Sequence, residues 1–168
     1  MKSDEITFRA ATNRDGEKIK QIVFGVLREY GLEPDCGGTD ADLNDVEANY
    51  SGRGGLFEVL ETPAGEIVGT VGLYPITDET VELRKMYFAK EIRGLGLGKQ
   101  TLQRMIERAA KLGFKRIYLE TNTRLIEAIG LYRKFGFTET DEKHAARCDQ
   151  GFILNLDQNS GTAKPNLQ

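Results

Sequence analysis

Apolar residues in this chain change their spacing several times, and each change marks a new element. Ile6-Thr7-Phe8-Arg9 alternates and predicts a short first strand. Ile19, Ile22, Val23, Val26 and Leu27 recur at helical spacing behind Thr12-Asn13-Arg14-Asp15, which supplies capping residues. Gly31-Leu32-Glu33-Pro34 ends that helix. Leu43, Val46 and Tyr50 predict a second, short helix capped by Thr39 or Asp40. After the loop Ser51-Gly52-Arg53-Gly54-Gly55, the stretches 56–60, 66–74 and 80–88 read as strands of an antiparallel meander. Pro63-Ala64-Gly65 makes its first turn. Leu102, Met105, Ile106 and Ala109 form a helical stripe, with Gly113 as its C-cap. A strand at 116–121, a helix from about 124 to 135 and two short strands at 137–140 and 151–156 complete the pattern. The order β-α-α-β-β-β-α-β-α-β-β predicts an α+β fold with helices flanking one mixed, mostly antiparallel sheet. Polar residues from Asp157 onward bury almost nothing, so the domain is placed at 1–157 and the tail at 158–168 is expected to be disordered.

The junction between the third meander strand and the following helix carries the candidate chemistry. Arg93-Gly94-Leu95-Gly96-Leu97-Gly98-Lys99 has glycines at alternate positions, so no Cβ holds a ligand away from the backbone. Free N–H groups and the positive end of the helix dipole make such a junction an anion site. A dinucleotide fingerprint begun at Gly94 needs glycine at position 99, where Lys99 stands. A Walker loop anchored on Gly98-Lys99 needs glycine at 93 and Ser or Thr at 100, where the chain has Arg93 and Gln100. Both readings fail at the positions that carry their chemistry.

What fits is R-x-x-G-x-G from Arg93 to Gly98, which resembles the pyrophosphate-binding loop of the GNAT superfamily of acyl-coenzyme A-dependent N-acetyltransferases. Ala128-Ile129-Gly130-Leu131-Tyr132-Arg133-Lys134-Phe135-Gly136-Phe137 resembles that family's A-I-x-L-Y-x-x-x-G-F segment. The two lie in the right order, and the similarity covers about residues 5 to 156. The resemblance implies acetyl-coenzyme A as co-substrate, no metal, and direct acetyl transfer to a primary amine in a ternary complex. It implies that the strands on either side of the loop helix splay apart around the cofactor. The loop from Arg93 through Gly94, Leu95, Gly96, Leu97, Gly98 and Lys99 would hold the pyrophosphate. The backbone of Met86, Tyr87 and Phe88 would pair with the pantetheine arm. Tyr132 matches the family's general acid. Glu82 is the candidate base and Glu120 its alternative, although either carboxylate could instead be structural, for example paired with Arg84 or Lys85. Strand alternation places residues 82, 84, 86 and 88 on one face. The family commonly has Asn where this chain has Leu125; Asn122 is the nearby substitute.

Tyr30 to Asp35 corresponds to one acceptor wall, with Tyr30 and Glu33 as candidate contacts. From Glu29 to Gly52 there are seven acidic residues and no basic one; from Arg84 to Arg116 there are ten basic and two acidic. The acidic stretch suits a cationic amine, the basic one suits phosphates, and Arg84 and Lys85 suit a carboxylate. An amino-acid-like acceptor satisfies both charges; a peptide or protein amine is the second choice, and a coenzyme A-binding module without catalysis a third reading. His144 and Arg147 precede the last strand, as pocket or solvent-facing residues.

Composition narrows the setting. The chain has 168 residues, 39% hydrophobic and 29% charged, which suits one well-filled core. No apolar run approaches a membrane span, and the N-terminus lacks a signal-peptide core, so a cytoplasmic protein without membrane contact is expected. Cys36 and Cys148 are read as free thiols, and a single histidine argues against a metal site. The net charge of −3 argues against nucleic acid. A homodimer is the family-derived expectation for assembly.

Overall fold

The computed structural model describes residues 2–156. The tail expected to be disordered, and the boundary drawn at residue 157, lie outside them. Among the described residues, β1 (Thr7–Ala10), β2 (Leu56–Glu61), β3 (Ile67–Pro75), β4 (Thr80–Phe88), β5 (Arg116–Thr121), β6 (Thr138–Thr140) and β7 (Gln150–Asn155) form one sheet. Its order is β1-β2-β3-β4-β5-β7-β6. All neighbours are antiparallel except β4 and β5. Helix α3 (Leu97–Lys111) makes the crossover that a parallel pair requires.

Alternation along the strands sends side chains into two cores. Phe57 and Val59 of β2 meet Ile19, Val23 and Leu27 of α1 (Gly16–Glu29) and Val46 of α2 (Val46–Asn49). Val81 and Leu83 of β4 meet Leu102, Met105 and Ala109 of α3, with Ile129 and Tyr132 of α4 (Ile126–Lys134). Helix α3 is also pinned by charge. Glu58, buried in β2, accepts from Arg104 Nε and Nη2 at 2.6 and 2.9 Å. Gly113 and Gly136, which follow α3 and α4, have φ of +92° and +90°, the left-handed turn that stops a helix. The expected second helix is broken in two. Ala41–Asn44 is a 3-10 turn, and the Asp45 carboxylate then caps α2 by accepting from the Ala48 N–H at 2.9 Å.

Leu102 is fully buried between α3 and the sheet. Leu102→Ala is expected to cost about 2–5 kcal/mol, read as a lower urea midpoint with an unchanged slope.

Candidate active site

The two halves of the sheet are joined by three residue pairs: Thr80 with Arg116, Val81 with Ile117 and Glu82 with Tyr118. Beyond Glu82, β4 continues to Phe88 and β5 to Thr121 without pairing with each other, so one edge of β4 faces a gap. The splay implied by the family resemblance is therefore present. A cavity of about 810 Å³ fills the gap and reaches the glycine loop, α4 and the end of α1.

A bulge shapes the open half of β4. Lys85 has φ +55°, the one positive value outside glycine among the described residues. The register with β3 slips there, from Gly72 opposite Arg84 to Thr70 opposite Tyr87. The Thr70 hydroxyl donates to the Lys85 carbonyl at 2.7 Å and holds the slip. The extra residue reverses the alternation. Glu82 and Arg84 do share a face, but Met86 and Phe88 pack with the opposite core, toward α3 and α4, so the expected common face of 82, 84, 86 and 88 is corrected. Strand periodicity holds only while every residue has a ladder partner.

In the loop, Gly94 and Gly96 have φ of +79° and +78°, and a Cβ at either would meet nothing within 4 Å. Both facts suit glycine: a turn that side chains rarely adopt, opening onto free space. The backbone N–H groups from Gly94 to Lys99 have no hydrogen-bond partner among the described residues; the first bonded one is Gln100, to the Gly96 carbonyl at 3.2 Å. Lys99 is exposed and has no partner among the described residues. Arg93 is committed instead: its guanidinium grips Glu29 at 2.6 and 2.9 Å and the Phe88 carbonyl at 3.0 Å, tying the loop to α1 and β4. Leu97 is buried and still lines the cavity, whereas Leu95 packs toward Ile6 and Leu60 and does not reach it.

Tyr132 lies across the gap on α4. Its ring packs against Phe137 and Phe152, with centroids 5.7 and 6.1 Å away. Its hydroxyl has no hydrogen-bond partner among the described residues, yet it is not sealed from the cavity. Burial, reinforced by neighbouring Tyr87, pushes its pKa well above the usual phenol value. Burial also raises the Tyr87 hydroxyl, to about 12. Glu82 is 8% exposed; burial raises its carboxyl above the ordinary value against the pull of Arg84. Arg84 Nε and Nη2 both bind Oε2 at 2.7 Å, so Oε1 is left without a partner among the described residues and open to solvent space. Glu120 is occupied otherwise, accepting the backbone N–H groups of His144 and Ala145 and thereby holding the loop before β7.

This geometry agrees with what comparison with other proteins shows. The profile of the Acetyltransferase (GNAT) family matches residues 26–137. The chain belongs to that family. The uncharacterized N-acetyltransferase YjgM of Escherichia coli (strain K12) is 42% identical over 138 residues, spanning 79% of this chain and 82% of that protein. A GNAT acetyltransferase from Staphylococcus aureus Mu50 superposes with a TM-score of 0.84 at 25% identity, covering 90% of this chain and 99% of that one. A GNAT phosphinothricin acetyltransferase from Sinorhizobium meliloti, solved in complex with AcCoA, gives 0.73 at 22% identity, covering 96% and 94%. The protein is thus an acyltransferase of the N-acetyltransferase type.

For a GNAT acetyltransferase, the acceptor side departs most from what charge along the chain suggests. Three of the seven acidic residues, Glu29, Asp40 and Asp42, are paired with basic side chains rather than free to meet a cation. Asp40 is wholly buried, bound to Lys85 Nζ at 2.5 Å and to both Arg147 Nη atoms at 2.6 and 2.7 Å. Asp42 takes the Tyr50 hydroxyl and lies 3.4 Å from Lys85 and 3.7 Å from Arg84. Lys85 and Arg84 are therefore neutralised too, and neither is free for a substrate carboxylate. Tyr30 lines the cavity, but Glu33 is exposed and outside it. Asn122 lines the cavity with its side chain spent on the Arg147 carbonyl and the Arg124 N–H, while Leu125 lies nearby in the wall. Sequence reasoning missed the Asp40 cluster; Lys85 beside Arg84 in a strand was its sole local trace.

Burial alone would raise the Asp40 carboxyl, but Arg147 and Lys85 together outweigh it and hold it well below the usual range. A carboxyl depressed by folding stabilises the fold above its unfolded pKa of about 3.9 and loses that contribution as pH falls through the folded value. Asp40→Asn is expected to cost about 3–5 kcal/mol at neutral pH, by leaving Arg147 without its carboxylate and Lys85 with Asp42 alone. The deficit relative to wild type should shrink below about pH 4, which urea denaturation at a series of pH values measures.

Proposed function

We propose that this protein transfers the acetyl group of acetyl-coenzyme A to a small primary amine, with both substrates held together in the gap between β4 and β5. The observation that carries this reading is the row of unpaired N–H groups from Gly94 to Lys99, opening beside the unpaired edge of β4. These donors, the start of α3 and exposed Lys99 fit a pyrophosphate. The open backbone of Met86, Tyr87 and Phe88 fits an amide-bearing arm laid alongside as an added strand. When bound, acetyl-coenzyme A supplies the acetyl group as an activated thioester.

The chain's own residues then divide the proton work. Glu82 Oε1 takes a proton from the arriving ammonium, so that a neutral nitrogen attacks the carbonyl carbon. As the new C–N bond forms and the C–S bond breaks, Tyr132 gives its proton to the departing sulfur. The proton shed by the nitrogen restores the Tyr132 hydroxyl, and Glu82 releases its proton to solvent. A raised phenol pKa keeps Tyr132 protonated until the sulfur needs it, and a raised carboxyl pKa makes Glu82 a better base.

A small acceptor is favoured over a folded protein by two arms that reach across the gap. Arg124 donates to the Tyr30 and Gly31 carbonyls at 3.3 and 2.9 Å, and Arg147 grips Asp40. Both bind the segment after α1 to the β5 half of the sheet and narrow the acceptor side.

Thiol release from acetyl-coenzyme A with a panel of amines, the products identified by mass spectrometry, tests the reading. Tight coenzyme binding with no turnover on any amine would leave a binding module instead. Tyr132→Phe is expected to lower kcat by roughly 10²-fold or more while calorimetric affinity for coenzyme A holds; lost affinity would make it a packing residue. Gly96→Val strains a left-handed position and fills the space before the loop, so coenzyme A affinity should vanish while the helical circular dichroism spectrum is retained. Unchanged affinity would sink the loop assignment.

A further inference from the structure

A second hollow of about 280 Å³ adjoins the main cavity and shares Tyr74, Glu82, Arg84, Glu120 and His144 with it. What it adds is Arg53, with Pro75 and Ile76. The other cation of this hollow, Arg84, is already matched within the protein, whereas Glu120 has no cationic partner among the described residues. Arg84 is shared by Glu82 and Asp42, and Glu120 is held by backbone N–H groups. Arg53 has no carboxylate within 4 Å among the described residues.

The Arg53 guanidinium is nonetheless held in place. Its Cζ lies 4.5 Å from the centroid of the Tyr74 ring, and Nη1 donates to the Tyr74 hydroxyl. Tyr74 is itself packed on fully buried Tyr50, with centroids 5.6 Å apart. The backbone beneath Arg53 is equally anchored: its N–H and that of Gly55 both donate to the Tyr50 carbonyl, at 3.1 and 2.9 Å. Stacking fixes a planar fork without using up its donors, and Nε and Nη2 make no hydrogen bond among the described residues. A carboxylate is the group that such a fork binds best.

We propose that Arg53 anchors a carboxylate of the acceptor, so that the amine substrate is an amino acid or a similarly small amino-carboxylate. This rests on reading the gap as an acetyl-transfer site. Glu82 and Arg53 line the same hollow, so the two poles of a zwitterion would meet opposite charges there. Arg84 and Lys85, the cations that sequence offers for this task, have their charge spent on Glu82, Asp42 and Asp40.

Calorimetric titration of the coenzyme A-loaded protein with the proteinogenic L-amino acids, each beside its carboxamide, tests the anchor. At least one amino acid should bind, and its carboxamide should bind about tenfold or more weakly. Arg53→Met should erase that preference, and Arg53→Lys should retain part of it. Absence of binding by every amino acid, equal affinity for the carboxamide, or a preference that survives in Arg53→Met overturns the proposal. Thiol release on the same panel separates the two readings. A carboxylate preference without turnover keeps the anchor and removes acetyl transfer, whereas turnover without a preference removes the anchor alone.

Discussion

β4 and β5 pair over three residues only, and past Glu82 the backbone edge of β4 faces open space rather than a strand. Backbone N–H and C=O groups are rarely left without partners inside a protein, so an edge exposed at the centre of a sheet is a place prepared for a ligand. The crossover helix α3 begins beside that edge, and its unpaired N–H groups extend the row of donors. Tyr132 and Glu82 then face the gap from its two sides, one on α4 and one on β4.

The shape of the edge depends in turn on charges buried behind it. Lys85 sits in a left-handed conformation that a side chain rarely adopts, and its ammonium is drawn into Asp40 and the Thr39 carbonyl. Asp40 also holds Arg147, so one carboxylate links the segment before α2, the bulge of β4 and the loop before β7. Those three segments line the side of the cavity proposed for the acceptor. Removing the carboxylate would take a partner from all three at once, so Asp40 ties the stability of the fold to the shape of this part of the cavity. The same pairing clears the field for Arg53, since it neutralises the cations that would otherwise compete for an acidic group.

Much of this architecture could be read along the chain. The stripe of Leu102, Met105 and Ala109 and the alternation of Phe57 and Val59 are local repeats, and all of them point where the spacing says. Gly94 and Gly96 were legible because their lack of a Cβ is itself the property that the loop uses. The bulge was not. Nothing in Arg84-Lys85-Met86 announces an extra residue, because its causes lie in Thr70 on the next strand and Asp40 far upstream. The acidic stretch misled for the same reason: Glu29, Asp40 and Asp42 look like a negative wall only while their partners Arg93, Lys85 and Arg147 are out of sight.

The sequence by itself determined most of the elements, their order, the glycine loop and the family, because each depends on residues close together along the chain. The tertiary structure alone decided which charges are free to meet a substrate. Lys85 and Arg147 reach Asp40 across 45 and 107 residues. Coulomb attraction follows distance in space and the dielectric around the pair, and neither can be counted along a chain. Arg53 and Lys99 are left without carboxylate partners by that sorting, and it is they that face the two ligands proposed for the gap.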